Sequence, residues 1–199
     1  MTANHPTKVL LIETAIGLID EFGPQGFTVD VLLEISKISK GSLYHHFENF
    51  DDVIEQAQVA RFARSVDADI NQLTMMMRAV NSREELLERI SEVVISATMP
   101  DRRNVRLNRS EIIGRANHSV KYARALAIEQ QRLTDAFTDL IREFQERGWA
   151  AKEIDPVVGA TFLQAYTLGF VLNDITQNPI SGEAWQQFVL RTLRKTFFA

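Results

Sequence analysis

The stretch Ser39-Lys40-Gly41-Ser42-Leu43-Tyr44-His45-His46-Phe47 concentrates side chains suited to a nucleic acid. Lys40 can donate to guanine acceptors or to phosphate, Ser42 can donate or accept, and Tyr44 and His45 can reach phosphate oxygens. Gly41 has no side chain, so the backbone there can approach a partner closely. Ser39 is a good N-cap, and the free amides of Ser39, Lys40 and Gly41 at the start of a helix attract anions without formal charge. Catalytic groupings are absent from the chain: there is no Gly-rich phosphate loop, no Gly-x-Ser-x-Gly and no His-Glu-x-x-His. The carboxylates read as solvated helix faces, so the chain is not expected to be an enzyme. Cysteine is absent, which excludes disulfides and thiolate metal sites. His45 and His46 are adjacent and point about 100° apart on a helix, while His5 and His118 are isolated. Neither a metal nor a cofactor is expected.

Short helices must position the Ser39–Phe47 residues. Leu11, Ala15, Leu18, Ile19 and Phe22 share one face of a first helix over about 7–22, which Gly23 and Pro24 stop. Thr28 is an N-cap with Asp30 in the first turn of a second helix ending near Ser36. Lys37-Ile38 makes a tight turn into the third helix. Two short helices joined by a few residues and held by a preceding helix form a helix-turn-helix, whose second helix enters the major groove. A long helix follows from about Asp51 to Leu73. Five more are expected, starting near Ser82, Asp101, Ser119, Asp155 and Ser181, with a Ser82/Glu85 capping box. The fold class is all-α, with no strand-like alternation.

The segments Phe22-x3-Gly26-Phe27-Thr28-Val29 and Ile38-Ser39-Lys40-Gly41-Ser42-Leu43-Tyr44-His45-His46-Phe47 resemble the TetR family of bacterial regulators. The resemblance implies a helix-turn-helix DNA-binding domain over 1–50 and an effector-binding and dimerisation domain over 51–199. It implies a ligand-responsive regulator, a repressor, that binds a palindromic operator as a homodimer and is released by a small-molecule effector. Thr28 and Tyr44 would hold phosphates, and Lys40, Gly41, Ser42 and His45 would lie at the base and backbone surface, flanked by Lys37 and Ser39. Leu43 and Phe47 would point inward against Leu18 and Phe22. Three positions depart from the family pattern. Lys37 stands where glycine is usual, Leu33 where a small residue is usual, and Phe50 where a lysine is frequent.

Aromatic and methionine residues of the second domain either line an effector cavity or form plain core. Candidate lining residues are Phe62, Ile112, His118, Phe137, Phe162, Tyr166 and Phe170. The run 157–173 carries no charge and is apolar nearly all round, so every side of it must be covered. It is short for a membrane span, contains Gln164, Gly159 and Gly169, and is flanked by Asp155 and Asp174. It reads as a buried helix. Met1–Ile12 lacks the shape of a signal peptide, so a cytoplasmic protein with no membrane partner is expected. Candidate dimer-interface residues are Leu172, Trp185, Phe188, Val189 and Leu193.

Charge argues mildly the other way. The net charge is −4. Within 1–50, three basic residues (Lys8, Lys37, Lys40) face six acidic ones (Glu13, Asp20, Glu21, Asp30, Glu34, Glu48), a balance of −3. Such a domain should bind non-specific DNA poorly. The segment 101–124 has seven basic residues against two acidic ones. Arg102, Arg106 and Arg109 share a helix face. That face is solvated, attracts an anionic effector, or meets the acidic patch around Glu48–Glu55; the last is the preferred expectation. Two other function classes remain: a DNA-binding protein of this fold with a non-transcriptional role, and a small-molecule binder or enzyme that kept the fold.

Overall fold

The computed structural model describes residues 5–198. Its elements are α1 (Pro6–Phe22), α2 (Val29–Ser36), α3 (Lys40–His46), α4 (Phe50–Arg78), α5 (Arg83–Thr98), α6 (Arg103–Gly114), α7 (Val120–Glu146), α8 (Pro156–Gly169), α9 (Val171–Ile175) and α10 (Gly182–Thr196). Short 3-10 turns at Pro100–Arg102 and Arg115–Asn117 lead into and out of α6. Among the described residues there is no strand, and no helix is long and apolar enough to cross a membrane.

Side chains mark most helix starts. Thr28, Ser39, Asn49, Ser82, Ser119, Asp155 and Ser181 each accept a hydrogen bond from a backbone amide in the first turn, satisfying donors that have no partner inside the helix. At Asn49 the cap is reciprocal. Asp52 donates its amide to Asn49 Oδ1 at 2.8 Å, and its own carboxylate accepts from the Glu48 amide at 3.1 Å. The α1–α2 turn is built on glycine. Gly23 closes α1 at φ 78°, and a side chain on Gly26 would meet the Phe22 carbonyl oxygen at 1.9 Å. The α2–α3 turn has no glycine. Lys37 adopts φ 57°, the left-handed region, and is the one described non-glycine residue with positive φ.

The helices α1–α3 enclose a core of Leu11, Ala15, Leu18, Ile19, Leu32, Leu43 and Phe47. Leu33, the large residue in place of a small one, packs against its edge. The first turns of α4 complete this core with Val53, Ile54 and Ala57, so the division expected at 50/51 falls where α4 enters it. Further along, Phe62 and Val66 of the same helix join Ile112, Tyr122, Leu126 and Leu133 in a second core. A third core joins α5, α7, α8 and α10 through Val94, Ile141, Ala160, Val189 and Leu193.

Four expectations need correction. Phe22 is half-exposed at the end of α1 and does not support the third helix, whereas Leu18 and Ile19 of the same face are buried in the core. The long helix runs five residues past Leu73, to Arg78. α6 begins at Arg103, after a 3-10 turn, rather than near Asp101. The charge-free run is not one helix. It breaks at Phe170 into α8 and α9, after Gly169. Glycine weakens the helix there, and α9 brings Asp174 to a buried partner, Arg106.

The left-handed conformation of Lys37 strains an L-residue. Lys37→Gly should raise stability by about 0.5–1 kcal/mol, read as a higher urea midpoint with unchanged slope. A midpoint equal to or below that of the parent would remove strain from the account of this turn.

Candidate nucleic-acid interface and ligand cavity

α3 turns Leu43 into the core and its other side outward. Lys40, Gly41, Tyr44 and His45 are exposed, and Ser42 is partly so. Ser39 Oγ accepts from the Ser42 amide at 3.2 Å, and Thr28 Oγ1 accepts from the Val31 amide at 3.4 Å. Both hydroxyls therefore act as helix caps, with their O–H free to turn outward. Nothing lies within 4 Å of a methyl group placed on Gly41. The protein itself leaves that position open, so no packing demand within the chain requires glycine there. His46 lies between His5 and His45, tilted against the first with centroids 4.7 Å apart and edge-on to the second at 5.0 Å. Lost solvation, followed by repulsion from His5, His45 and Lys8, holds His46 below its usual 6.5. No group of three His, Cys, Asp or Glu residues among those described is placed to hold a metal.

Half of the acidic residues counted in 1–50 (Glu13, Asp20 and Glu48) are paired with cations from later helices. Asp20 pairs with Arg61 and Glu13 with Arg64, both arginines on α4. Lys121 of α7 donates to Glu48 Oε1 and Asp52 Oδ1, each at 2.8 Å, and Ser119 Oγ donates to Glu55 Oε2 at 3.0 Å. Burial pushes the Asp52 carboxyl up. Hydrogen bonds from Lys121, Gln56 and the Glu48 amide outweigh that and hold it below the usual 3.8.

The arginines of α6 do not face this patch, contrary to expectation. Arg106 is buried and donates through Nε and Nη2 to Asp174 at 2.6 Å and 2.7 Å, and through Nη1 to the Ala97 carbonyl at 2.7 Å. Arg109 donates to Asp69 Oδ2 at 2.9 Å. The turn at Arg115–Asn117 carries the chain past the end of α6, and the first turn of α7 meets the acidic patch through Lys121. No composition signal distinguished Lys121 from the arginines before it.

A cavity of about 870 Å³ lies among α4, α5, α6, α7 and α8. Its walls are mainly apolar, with Leu73, Val93, Leu126 and Leu133 among them. Of the candidate lining residues, Phe62 and Phe137 face it. Ile112 lies behind the wall in the second core, and His118 is exposed on the turn before α7. Phe162, Tyr166 and Phe170, four apart, take the other face of α8: Phe162 stacks on Phe197, Tyr166 packs into the third core, and Phe170 lies against Trp185. Leu163, Gln164, Thr167 and Leu168 turn to the cavity instead. The cavity residues that sequence reasoning missed include a polar set, among them Asp69, Gln130, Thr134 and Gln164. An apolar-stripe criterion passes over such residues.

The candidate interface residues divide. Val189 and Leu193 are 4% and 2% exposed and belong to the chain's own third core, so they offer no outer surface. Leu172 and Phe188 are 68% and 54% exposed, and Val157, Val158 and Phe162 of α8 are exposed as well. Trp185 is partly buried between Phe170 and Phe188.

Residues 83–197, more than half of the chain, match the family model of the C-terminal domain of BetI-type transcriptional repressors. The chain belongs to the TetR family. Members of this family bind DNA and small-molecule effectors, act as dimers, and are in general not enzymes. No curated protein sequence matches the chain. Among solved structures, a TetR-family regulator from Mesorhizobium loti superposes with a TM-score of 0.72 at 14% identity, over 100% of both chains. A transcriptional regulator from Saccharomonospora viridis in complex with choline gives 0.66 at 18% identity, over 96% of this chain and 97% of that one. The reduced form of Escherichia coli NemR gives 0.64 at 18% identity, over 97% of both. These likenesses bear on the fold.

As a TetR-family regulator with open space at Gly41, the chain should separate stability from DNA affinity there. Gly41→Ala should be as stable or up to about 1 kcal/mol more stable, and should bind a footprinted genomic site about tenfold more weakly because the backbone can no longer approach it. Lys40→Ala should weaken the same site without loss of stability. Parental affinity in both variants, measured by fluorescence anisotropy, would remove α3 from the interface.

Proposed function

We propose that this chain is a ligand-responsive transcriptional repressor of the cytoplasm, without enzymatic activity, that binds a palindromic operator as a homodimer and leaves it when a small molecule fills the cavity. Thr28, Lys37, Ser39, Lys40, Gly41, Ser42, Tyr44 and His45 form the DNA surface in this reading. One observation carries it: the helices that wall the cavity also hold the DNA-binding domain. α4 contributes Phe62 and Asp69 to the cavity, and Val53, Ile54 and Ala57 to the DNA-binding core. α7 contributes Leu126, Leu133 and Phe137 to the cavity, and Lys121 to Asp52 and Glu48.

The mechanism follows from the requirement that two recognition helices meet successive major grooves, roughly 34–36 Å apart. A ligand that fits the cavity better when α6 and α7 shift outward prefers a dimer in which this spacing is wrong. Its differential affinity moves the population away from the DNA-competent state. The homodimer reading is supported by the apolar side chains of Val158, Phe162, Leu172 and Phe188, which a single chain leaves exposed.

Two measurements test this reading. Phe188→Glu should yield a folded monomer by sedimentation, because the side chain is exposed within one chain and would be buried only by a partner. A dimeric variant, or a monomeric parent at micromolar concentration, would refute the assignment. Lys121→Met and Asp52→Asn, singly and together, should show a coupling in operator affinity of about 0.5 kcal/mol at low salt that fades at high salt. Strict additivity at low salt would exclude Lys121 as the link between domains.

A further inference from the structure

The polar groups of the cavity wall are unevenly satisfied. Arg106 is neutralised by Asp174, and its remaining donor edge is taken by backbone carbonyls. Glu92 is held by Arg89, which donates to both carboxylate oxygens at 2.8 Å and 3.0 Å. On the opposite wall, Gln130 donates to Gln164 Oε1 at 2.6 Å, and Gln164 donates to Thr134 Oγ1 at 3.2 Å and to the Ala160 carbonyl at 3.1 Å. That side closes on itself.

Two cationic groups remain. Arg109 uses Nη1 for Asp69, and its guanidinium lies over the Phe62 ring, 5.3 Å from the centroid. Its Nη2 is shielded from solvent and has no acceptor. A charged donor in that condition is costly, and a ligand acceptor would relieve it. Arg102, on the same side of the cavity, has no carboxylate partner among the described residues. Apart from Asp69, which Arg109 already holds, the lining is largely apolar, with Phe62, Leu73, Val105, Ile113 and Leu126 in it. A cationic ligand would meet two arginines and would find the face of Phe62 already occupied. A neutral ligand would leave Arg109 Nη2 unpartnered unless it brought an acceptor.

We infer that the cavity takes an amphipathic carboxylate, its head group on Arg109 and Arg102 and its apolar body along α4 and α7. The inference rests on the reading of this cavity as the effector site and adds the chemical class of its ligand. The volume suits such a molecule, since pockets for compact organic ligands span about 300–1,000 Å³.

The test uses the full-length protein and three probes with the same apolar chain, each below its micellar concentration: dodecanoate, dodecan-1-ol and dodecyltrimethylammonium. Calorimetry should show dodecanoate binding at least about tenfold more tightly than either analogue, as expected for a charge-assisted pair out of water. Arg109→Gln should remove that preference and leave the affinity for the alcohol unchanged, and Arg109→Lys should keep part of it. Arg102→Gln, at a half-buried position that makes no structural ion pair, should reduce dodecanoate binding with an unaltered melting temperature and serves if Arg109→Gln fails to fold. Equal binding of the three probes, preference for the alcohol or the ammonium, absence of binding by all three, or an Arg109→Gln variant with parental affinity for dodecanoate would overturn the inference. Operator release separates it from the functional reading. Release by the alcohol or the ammonium alone keeps the ligand-released repressor and discards the carboxylate. Arg109-dependent binding of dodecanoate without release keeps the site and discards effector control through it.

Discussion

α4 belongs to two hydrophobic cores at once, and this constraint organises the molecule. Val53, Ile54 and Ala57 are shared with α1 and α3, while Phe62 and Val66 are shared with α6 and α7. Packed cores have discrete arrangements and do not deform smoothly. A displacement of α4 at the cavity is therefore passed to the support of α3, because yielding at either core would open a void. The ion pairs of Arg61 with Asp20 and Arg64 with Glu13 keep α1 and α4 together along the interval between the cores.

The charge distribution has a related logic. An acidic helix-turn-helix domain is poorly suited to a polyanion, yet four of the carboxylates near it are held by cations from elsewhere in the chain: Glu13 and Asp20 by α4, Glu48 and Asp52 by Lys121. Their charge serves domain attachment. The exposed side of α3 offers hydroxyl, amide and imidazole groups with one lysine, Lys40, a set better suited to short-range contacts than to a long-range field. The Lys121 contacts are partly exposed, so they are screened by salt and define an orientation more than they add stability.

Arg106 shows what the interior adds. Its guanidinium and Asp174 are both almost wholly buried, and the pair joins α6, the end of α5 and the kinked α8–α9 segment. Such a pair contributes little net stability, because both charges lose their water, but removing one partner leaves the other stranded. It therefore specifies the path of the chain beyond Gly169 more than it stabilises the fold. That path gives the cavity its α8 wall and leaves Leu172 and Phe188 on an outer apolar surface.

The helices, their caps and the inward face of α3 were legible in the sequence, because each depends on neighbours within a few positions: Thr28 on Val31, Ser39 on Ser42, Asn49 on Asp52, and Leu43 on the turn it occupies. The unusual residue of the turn, Lys37, was legible from the family pattern, which has glycine there. Partners distant in sequence were not. Arg106 could equally have met the acidic patch or a ligand until α9 placed Asp174 beside it, 68 residues away. The three arginines of one helix face had the same local pattern, and only the surrounding walls decided that one is neutralised, one is half-paired and one is free of a carboxylate. Likewise Val189 and Phe188 are adjacent and both apolar, and only the packing of α10 on α5 put one in the core and the other outside. Local hydrogen bonding and helical period thus determined the elements and which side chains of α3 are exposed. The cavity, its charge balance and the link through Lys121 were decided by tertiary structure, because a side chain's partner across a core depends on how whole helices cross.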